Sequence, residues 1–460
     1  MNDDKTIFAP ASAIGKAGVT VFRISGVEAL QAIKQLCVPA DDPEPRKASL
    51  RIVKHPITDE IIDRAVVLFF QAPESFTGED VVELHTHGGR AVANAVVDAL
   101  SALPRFRIAE AGEFTRRAFE NGKMDLTEAE AIADLVHAET EAQRKQAFRQ
   151  MEGALGNLYG NWQERLSQGL AWMEASIDFS DEDLPDDLMD KQTADLKALR
   201  KEIMKHLDDK HRGERLREGF SIVLLGPPNA GKSSILNALA RRDAAIVSPT
   251  AGTTRDIIEV HLDLGGYPVI LADTAGLKDL SPETLEEDVE LVSHGKIEVE
   301  GIRRAQVRAA NADLKIIVFD GAHWPKMDKT SQGLIDKDAL VVVNKSDLIK
   351  TKKPAAGKES IHPLFISALT GAGIDALLKK LEHEIEHRFV GTGSPPLTRA
   401  RHRAALEECA DHLGRALQSK QADLRAEDVR QAMRSLGRIT GRVDVEDLLD
   451  IIFRDFCIGK

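Results

Sequence analysis

At 460 residues, with 43% hydrophobic and 29% charged side chains, the chain has the composition of a globular protein and the length of about three domains. Its net charge of −13 argues against a broad nucleic-acid-binding face, and no stretch approaches the roughly 20 apolar residues of a membrane span. MNDDKTIFAP at the N-terminus lacks a long apolar core and does not read as a signal peptide, while Cys37, Cys409 and Cys457 match no disulfide or zinc spacing. The expected compartment is the cytoplasm.

Residues 1–122 alternate strand-like and helical runs. VTVFRIS (19–25), AVVLFF (65–70) and VVELHTHGG (81–89) predict strands, and 90–103 predicts a helix, so this part is a compact α/β domain. Arg105, Arg107, Arg116 and Arg117 lie close together, as do Arg399, Arg401 and Arg403; both groups read as solvated faces. His85 and His87 precede a Gly-Gly pair and read as turn-stabilising, since no second cluster supports a metal.

From about Lys123 long helices are expected, because Leu126, Ala129, Ile132, Ala133 and Val136 keep helical spacing. FSDEDLPDD (179–187) reads as an acidic loop, after which helical character resumes to about Glu218. Strands return with SIVLL (221–225), VILAD (269–273), KIIVFD (315–320), LVVVN (340–344) and LFIS (364–367). Helical stretches between most of them indicate a largely parallel, doubly wound sheet. GTGSPP after Val390 is a linker by composition, and the rest is helical. Apolar residues at Val445, Leu448, Leu449, Ile452, Phe453 and Phe456 predict a helix packed through Phe456. The expected domains are 1–122 (α/β), 123–218 (helical, first part), 219–384 (inserted α/β) and 385–460 (helical, second part).

GPPNAGKSS (226–234) stands between a strand and a helical run, the context a phosphate-binding loop requires. Its glycines let backbone N–H groups wrap phosphates, Lys232 would reach the β- and γ-phosphates, and Ser233 would ligate Mg²⁺. The expected contacts in this loop are Asn229, Ala230, Gly231, Lys232, Ser233 and Ser234. DTAG (Asp273, Thr274, Ala275, Gly276) ends the next strong strand, where a carboxylate can organise Mg²⁺. NKSD supplies Asn344, Lys345 and Asp347, and Asp347 can accept two hydrogen bonds from guanine that adenine cannot offer. SAL (Ser367, Ala368, Leu369) would close over the base. Four motifs at strand C-terminal ends predict one ligand edge, and the nucleotide is GTP. Leu277 stands after DTAG where many regulatory GTPases carry a water-orienting glutamine, so another group must assist. A monovalent cation near Asn229 and GTTRD (252–256) could neutralise the developing charge.

GPPNAGKS, GTTRD, DTAGL and NKSD resemble the G domain of potassium-activated GTPases of the TrmE-Era-EngA type. RISG (23–26), SFTGEDVVELHTHGG (75–89), GEFTRRAFENGKMDLTEAEAIADL (112–135) and terminal FCIGK resemble, within that group, the tRNA-modification GTPases of the MnmE (TrmE) family. The likeness runs over essentially the whole chain in one domain order. It implies a homodimer joined through the N-terminal domains, with 5-formyl- or methylene-tetrahydrofolate bound there. It also implies a heterotetramer with FAD-dependent MnmG, in which FAD belongs to the partner only. Together they would add an aminomethyl or carboxymethylaminomethyl group at C5 of the wobble uridine of certain tRNAs.

Carried over by position, the folate site would use Arg23, Glu83, Lys123 and Lys460, with Cys457 close by for possible chemistry. Mg²⁺ would be held by Ser233 and Thr254, and K⁺ by Asn229, Ser248, Thr250 and Thr253. Pro249, Ala251 and Gly252 complete that GTP-contacting loop. The family reaches a catalytic glutamate soon after DTAGL, whereas this chain has a segment longer by roughly a dozen residues. Aligning on GIRRA (301–305) selects Glu298, with Glu286 and Glu287 as alternatives. A ribosome-maturation GTPase would instead carry a basic RNA-binding appendage, and a membrane-remodelling one a lipid-binding element.

Overall fold

The computed structural model describes residues 5–13, 15–178, 186–242, 246, 259–273, 312–349, 362–389, 395–443, 446–454, 456, 458 and 459, the side chains of 186–190 and 446–448 excepted. They form two units: Met1–Val136 with Phe148–Ile203 and Ala404–Lys460, and His137–Ala147 with Met204–Arg403.

Among the described residues the first unit contains a seven-stranded sheet, β1 (Thr6–Pro10), β2 (Ala17–Ser25), β3 (Cys37–Val38), β4 (Ser49–Lys54), β5 (Ile61–Phe70), β6 (Val81–Gly88) and β7 (Phe106–Ile108). Its order is β3-β4-β5-β6-β2-β1-β7, antiparallel throughout except between β1 and β7. Period-2 alternation sends Phe22, Ile24, Val53, Val67, Val82 and Leu84 to one face, where the helices Ala29–Leu36 and Arg90–Ser101 bury them. The opposite face presents Leu50, Val66, Glu83, His85 and Arg23; Leu50 opposes Val66, Val66 opposes His85 and Glu83 opposes Arg23.

The helical part of this unit draws on distant segments. Helix Ala154–Asp178 buries Leu155, Tyr159, Trp162, Leu166 and Met173, one face at steps of three, four and seven. Arg165 pairs with Asp195 and Glu202, both at 2.8 Å, and Arg200 Nε donates to the Ala410 carbonyl at 2.9 Å. Of the expected acidic loop, residues 179–185 lie outside the described residues, and the helix Asp186–Leu207 already begins within its last two.

The expected terminal helix is shorter than its apolar period suggests. Helix Glu446–Arg454 stops before Phe456, which lies in a bend with its N–H on the Phe453 carbonyl at 3.2 Å. Phe456 remains buried with Leu449, Phe453, Leu126 and Ala129. The apolar face thus outlasts the helix, because side-chain burial does not require helical backbone. Beyond it Ile458 bridges antiparallel to Ala111.

The second unit carries β8 (Phe220–Leu225), β9 (Glu259–Leu264), β10 (Tyr267–Asp273), β11 (Leu314–Asp320), β12 (Ala339–Asn344) and β13 (Leu364–Phe365). Their order is β13-β12-β11-β8-β10-β9, parallel except for the β9/β10 pair. Both faces are covered, which is why the strands read as apolar runs. Ile222, Leu224, Ile316 and Val318 pack beneath the helices Lys232–Ala240 and Ile374–Phe389, and Val223, Leu225, Ile317 and Phe319 lie with Trp324 on the other side. Helix Ile374–Phe389 continues across residue 384, and Ile385 and Phe389 belong to this same core.

Candidate nucleotide-binding site

Where β8 ends, the chain must turn sharply against β11. Gly226 has φ +143°, and a Cβ there would lie 2.2 Å from the Val318 carbonyl oxygen. Gly231 has φ +90°, and its Cβ would lie 2.2 Å from Asn344 Nδ2. Only glycine fits either place. Between them Asn229 takes φ +62°, unusual for a non-glycine residue, and is exposed. Lys232 opens the following helix; it is buried, and Nζ donates to the Gly226 and Pro227 carbonyls at 3.0 and 3.1 Å. The ammonium is therefore held inside the turn of the loop.

Ser233 Oγ donates to Asp273 Oδ2 at 2.5 Å, across from the end of β10. Two hard oxygen donors converge here, with Asp273 buried, and that donor set suits Mg²⁺. Asn344 staples three motifs together: Nδ2 donates to the Ala230 carbonyl at 3.0 Å, and Oδ1 accepts from the Ala368 N–H at 3.0 Å. Ser367 is buried, with Oγ accepting from the Thr370 N–H at 3.2 Å, while Leu369 is exposed. Asp347 is exposed on the short turn Ser346–Leu348. The structure thus gathers the expected residues of 229–234, Asp273, 344–347 and 367–369 at one strand-end edge. Ser248, Pro249, Thr250, Ala251, Gly252, Thr253, Thr254, Thr274, Ala275, Gly276 and Glu298 lie outside the described residues.

One group at this edge escaped the sequence reading. Asp320 ends β11 in register with Asn344 and accepts a 2.7 Å bond from Lys345 Nζ. Burial alone would raise its carboxyl, yet Lys345 and the Ala322 N–H hold it below the ordinary value. The signal was available: KIIVFD ends in a carboxylate at the position where VILAD and LVVVN end in Asp273 and Asn344.

In the first unit Arg23 and Glu83 face each other in register and pair at 3.0 Å. The Arg23 guanidinium lies over the rings of Phe76 (5.3 Å) and Phe114 (5.9 Å), and His85 Nε2 is 3.1 Å from Glu83. Lys123 donates to the Pro73 carbonyl at 2.9 Å, gripping the loop that carries Phe76. Cys457 and Lys460 lie outside the described residues. His87 pairs with Asp63 at 2.8 Å, so both histidines are engaged within the sheet, and no metal-binding cluster occurs among the described residues. Burial pushes the Cys37 and Cys409 thiols up to about 11 and about 12, which leaves both protonated and inert at neutral pH. The arginine groups carry carboxylate partners: Arg107 with Glu113, Arg116 with Asp450, Arg117 with Glu79, and Arg403 with Asp209.

A parallel sheet whose strand ends carry a phosphate loop, a magnesium-type Ser–Asp pair and an Asn-Lys-x-Asp turn defines a P-loop GTPase. The profile of the MnmE helical domain matches residues 126–457, and that of the GTP-binding protein TrmE N-terminus matches 6–123. The chain is 52% identical to the tRNA modification GTPase MnmE of Paramagnetospirillum magneticum, with 99% of this chain and 100% of the relative covered. The MnmE of Parvibaculum lavamentivorans is also 52% identical, over the same shares. A human mitochondrial protein, 5-taurinomethyluridine-[tRNA] synthase subunit GTPB3, is 45% identical over 99% of this chain and 93% of its own length. The chain belongs to the MnmE family of tRNA-modification GTPases.

Proposed function

We propose that this chain is a potassium-dependent GTP hydrolase that drives C5 modification of the wobble uridine of certain tRNAs. Its partner is an FAD-dependent MnmG-type protein, the one-carbon source is a folate, and the setting is the cytoplasm. The observation that carries the GTPase part is the Asn344 staple, which joins the phosphate loop to the base-binding segment. The modification part rests on full-length similarity to proteins named for it. No helix among the described residues is long and apolar enough to cross a membrane.

In hydrolysis, water attacks the γ-phosphorus, the bond to the β–γ bridging oxygen breaks, and GDP and phosphate leave. The loop N–H groups and Lys232 neutralise phosphate charge, Ser233 and Asp273 with Thr254 would hold Mg²⁺, and Asp347 selects guanine. Glu298 is proposed to orient the water, since Leu277 has no polar group to do so. Asn229 is exposed on the loop with an amide oxygen to offer, which suits a K⁺ ligand alongside Ser248, Thr250 and Thr253. Potassium bound there would supply positive charge toward the phosphates. Arg23, Glu83, Lys123 and Lys460 are proposed for the folate, where the Arg23 cation and the Glu83 acceptor suit a carboxylate tail and a pterin donor edge. The exposed apolar residues Leu50, Val66 and Val19 beside them support a homodimer through this sheet.

The test is nucleoside analysis, by mass spectrometry, of tRNA from cells lacking this protein. Loss of the modified wobble uridine, restored by the intact gene and not by Lys232→Ala, is expected. An unchanged nucleoside profile would overturn the proposal.

A further inference from the structure

Asp320 is not among the groups expected to touch the nucleotide, yet it lies two hydrogen bonds from the phosphate loop, through Lys345. Its Oδ2 accepts from Lys345 Nζ at 2.7 Å, and the same ammonium donates to the Asn229 carbonyl at 2.7 Å. Oδ1 accepts from the Ala322 N–H at 2.9 Å, which fixes the rotation of the carboxylate. The next residue is locked as well: the Gly321 N–H donates to the Asn344 carbonyl at 2.7 Å, and a Cβ on Gly321 would lie 2.6 Å from both the Asn344 and Lys345 oxygens.

Two of the three residues in this chain of bonds have left-handed backbone. Asn229 has φ +62° and Lys345 φ +59°, both in the left-handed region, which asparagine adopts more readily than other side chains and lysine does not. Such conformations persist where surrounding contacts over-determine them, and they cluster at functional sites. A lysine on a flexible four-carbon stem is a poor clamp by itself, because water competes for its ammonium. A carboxylate bonded to the same ammonium makes the contact charge-assisted and fixes its direction.

We propose that Asp320 is a positioning residue for GTP hydrolysis: it pins Lys345 against the Asn229 carbonyl and so holds Asn229 in the conformation that presents its amide to the monovalent cation. This rests on the potassium reading of the phosphate loop. A merely structural strand-end pair would act on stability, and a partly exposed pair contributes little there. Asp320 acts instead on the geometry of the loop.

The experiment uses the full chain with Asp320→Asn and Asp320→Glu. GTP turnover is measured in K⁺, Na⁺ and Rb⁺, together with thermal midpoint and amide hydrogen exchange of the peptide spanning 226–232 with GDP bound. For Asp320→Asn, kcat in K⁺ should fall about tenfold, with KM for GTP within about threefold, as for an interaction expressed in the transition state. The K⁺:Na⁺ rate ratio should shrink, exchange in 226–232 should rise while β8 and β11 stay protected, and Asp320→Glu should recover most of the loss. Wild-type kcat, rate ratio and exchange in Asp320→Asn would overturn the inference. So would a drop in thermal midpoint with the K⁺:Na⁺ ratio preserved. If the unaltered protein itself shows no preference for K⁺, the potassium reading falls; the kcat-against-KM split and loop exchange then decide whether Asp320 positions Asn229.

Discussion

Asn344 and Asp347 sit three residues apart but do different work. Asn344 is buried and spends its amide on the Ala230 carbonyl and the Ala368 N–H, so it holds protein to protein. Asp347 is exposed, leaving its carboxylate for the ligand. Guanine offers that carboxylate two donors, N1–H and the exocyclic amine, and exchanging one oxygen for an amide NH₂ turns one of these contacts into a donor–donor clash. Asp347→Asn should weaken GTP binding by roughly 100-fold while admitting xanthosine triphosphate, whose C2 carbonyl accepts what the new amide donates. Competition between the two nucleotides, followed by fluorescence of a labelled GDP, checks this; unchanged preference for guanine would remove Asp347 from base recognition. Motif residues of this kind were legible because each role demands one residue type at a fixed spacing. Asp320 was less so: its strand-end position matches those of Asp273 and Asn344, but an aspartate after an apolar strand has many uses, and the 2.7 Å contact with Lys345 is what gives this one a role.

Strands were most legible where both faces are buried over six or more residues. β8, β10, β11 and β12 are covered on both sides and stand out as apolar runs. No strand is predicted at β1, β3, β4, β7 or β9, which complete the two sheets. β9 (EVHLDL) alternates cleanly, with Leu262 and Leu264 buried and Glu259 exposed, and the two-glycine turn to β10 was a usable hairpin signal. β1 (TIFAP) has only five residues, and β4 (SLRIVK) interleaves its apolar positions with Ser49, Arg51 and Lys54, so neither shows a clear apolar pattern although each pairs with the next strand along the chain. The helix Asp186–Leu207 carries a consequence of burial that no periodicity reveals. His206, near its end, is pushed down to about 4, chiefly by burial; Asp209 opposes the shift, and the charges of Arg403, His402 and Arg212 add to it. A depressed histidine costs nothing above its unfolded value near 6.5, where both states are neutral. As pH falls below that, the unfolded chain takes up a proton the folded one refuses, and stability is lost progressively until about pH 4. Between pH 7 and 4.5 the protein should lose roughly 2 kcal/mol more than His206→Gln. Urea unfolding at the two pH values measures the difference, and parallel slopes would assign the acid sensitivity elsewhere.

At the scale of the whole chain, the first unit is assembled from pieces hundreds of residues apart, and the C-terminal segment shows why that matters. Helix Glu446–Arg454 packs on Leu126 and Ala129, and Gly112, at φ +70°, lets the chain pass where a Cβ would meet the Phe453 carbonyl at 2.6 Å. Ile458 then bridges to Ala111, and a Cβ on Gly459 would lie 2.1 Å from the Pro10 carbonyl oxygen. Pro10 is paired with Phe22, the neighbour of Arg23 on β2. The segment is therefore seated against the sheet that carries the proposed folate residues, and two roles compete for it. If it only completes the core, that work ends at Phe456, and deleting Gly459 and Lys460 should change nothing. If it serves the folate site, the deletion removes a cation suited to the ligand's carboxylate, worth about tenfold or more in affinity for a charge-assisted bond. The expected outcome is weaker binding of 5-formyltetrahydrofolate by calorimetry and reduced wobble modification. GTP hydrolysis should stay unaltered, because the phosphate loop belongs to the other unit. Cys457→Ser separates the thiol from the lysine: lost modification with normal folate affinity would assign it chemistry. Full modification in both variants would return the segment to a purely structural role.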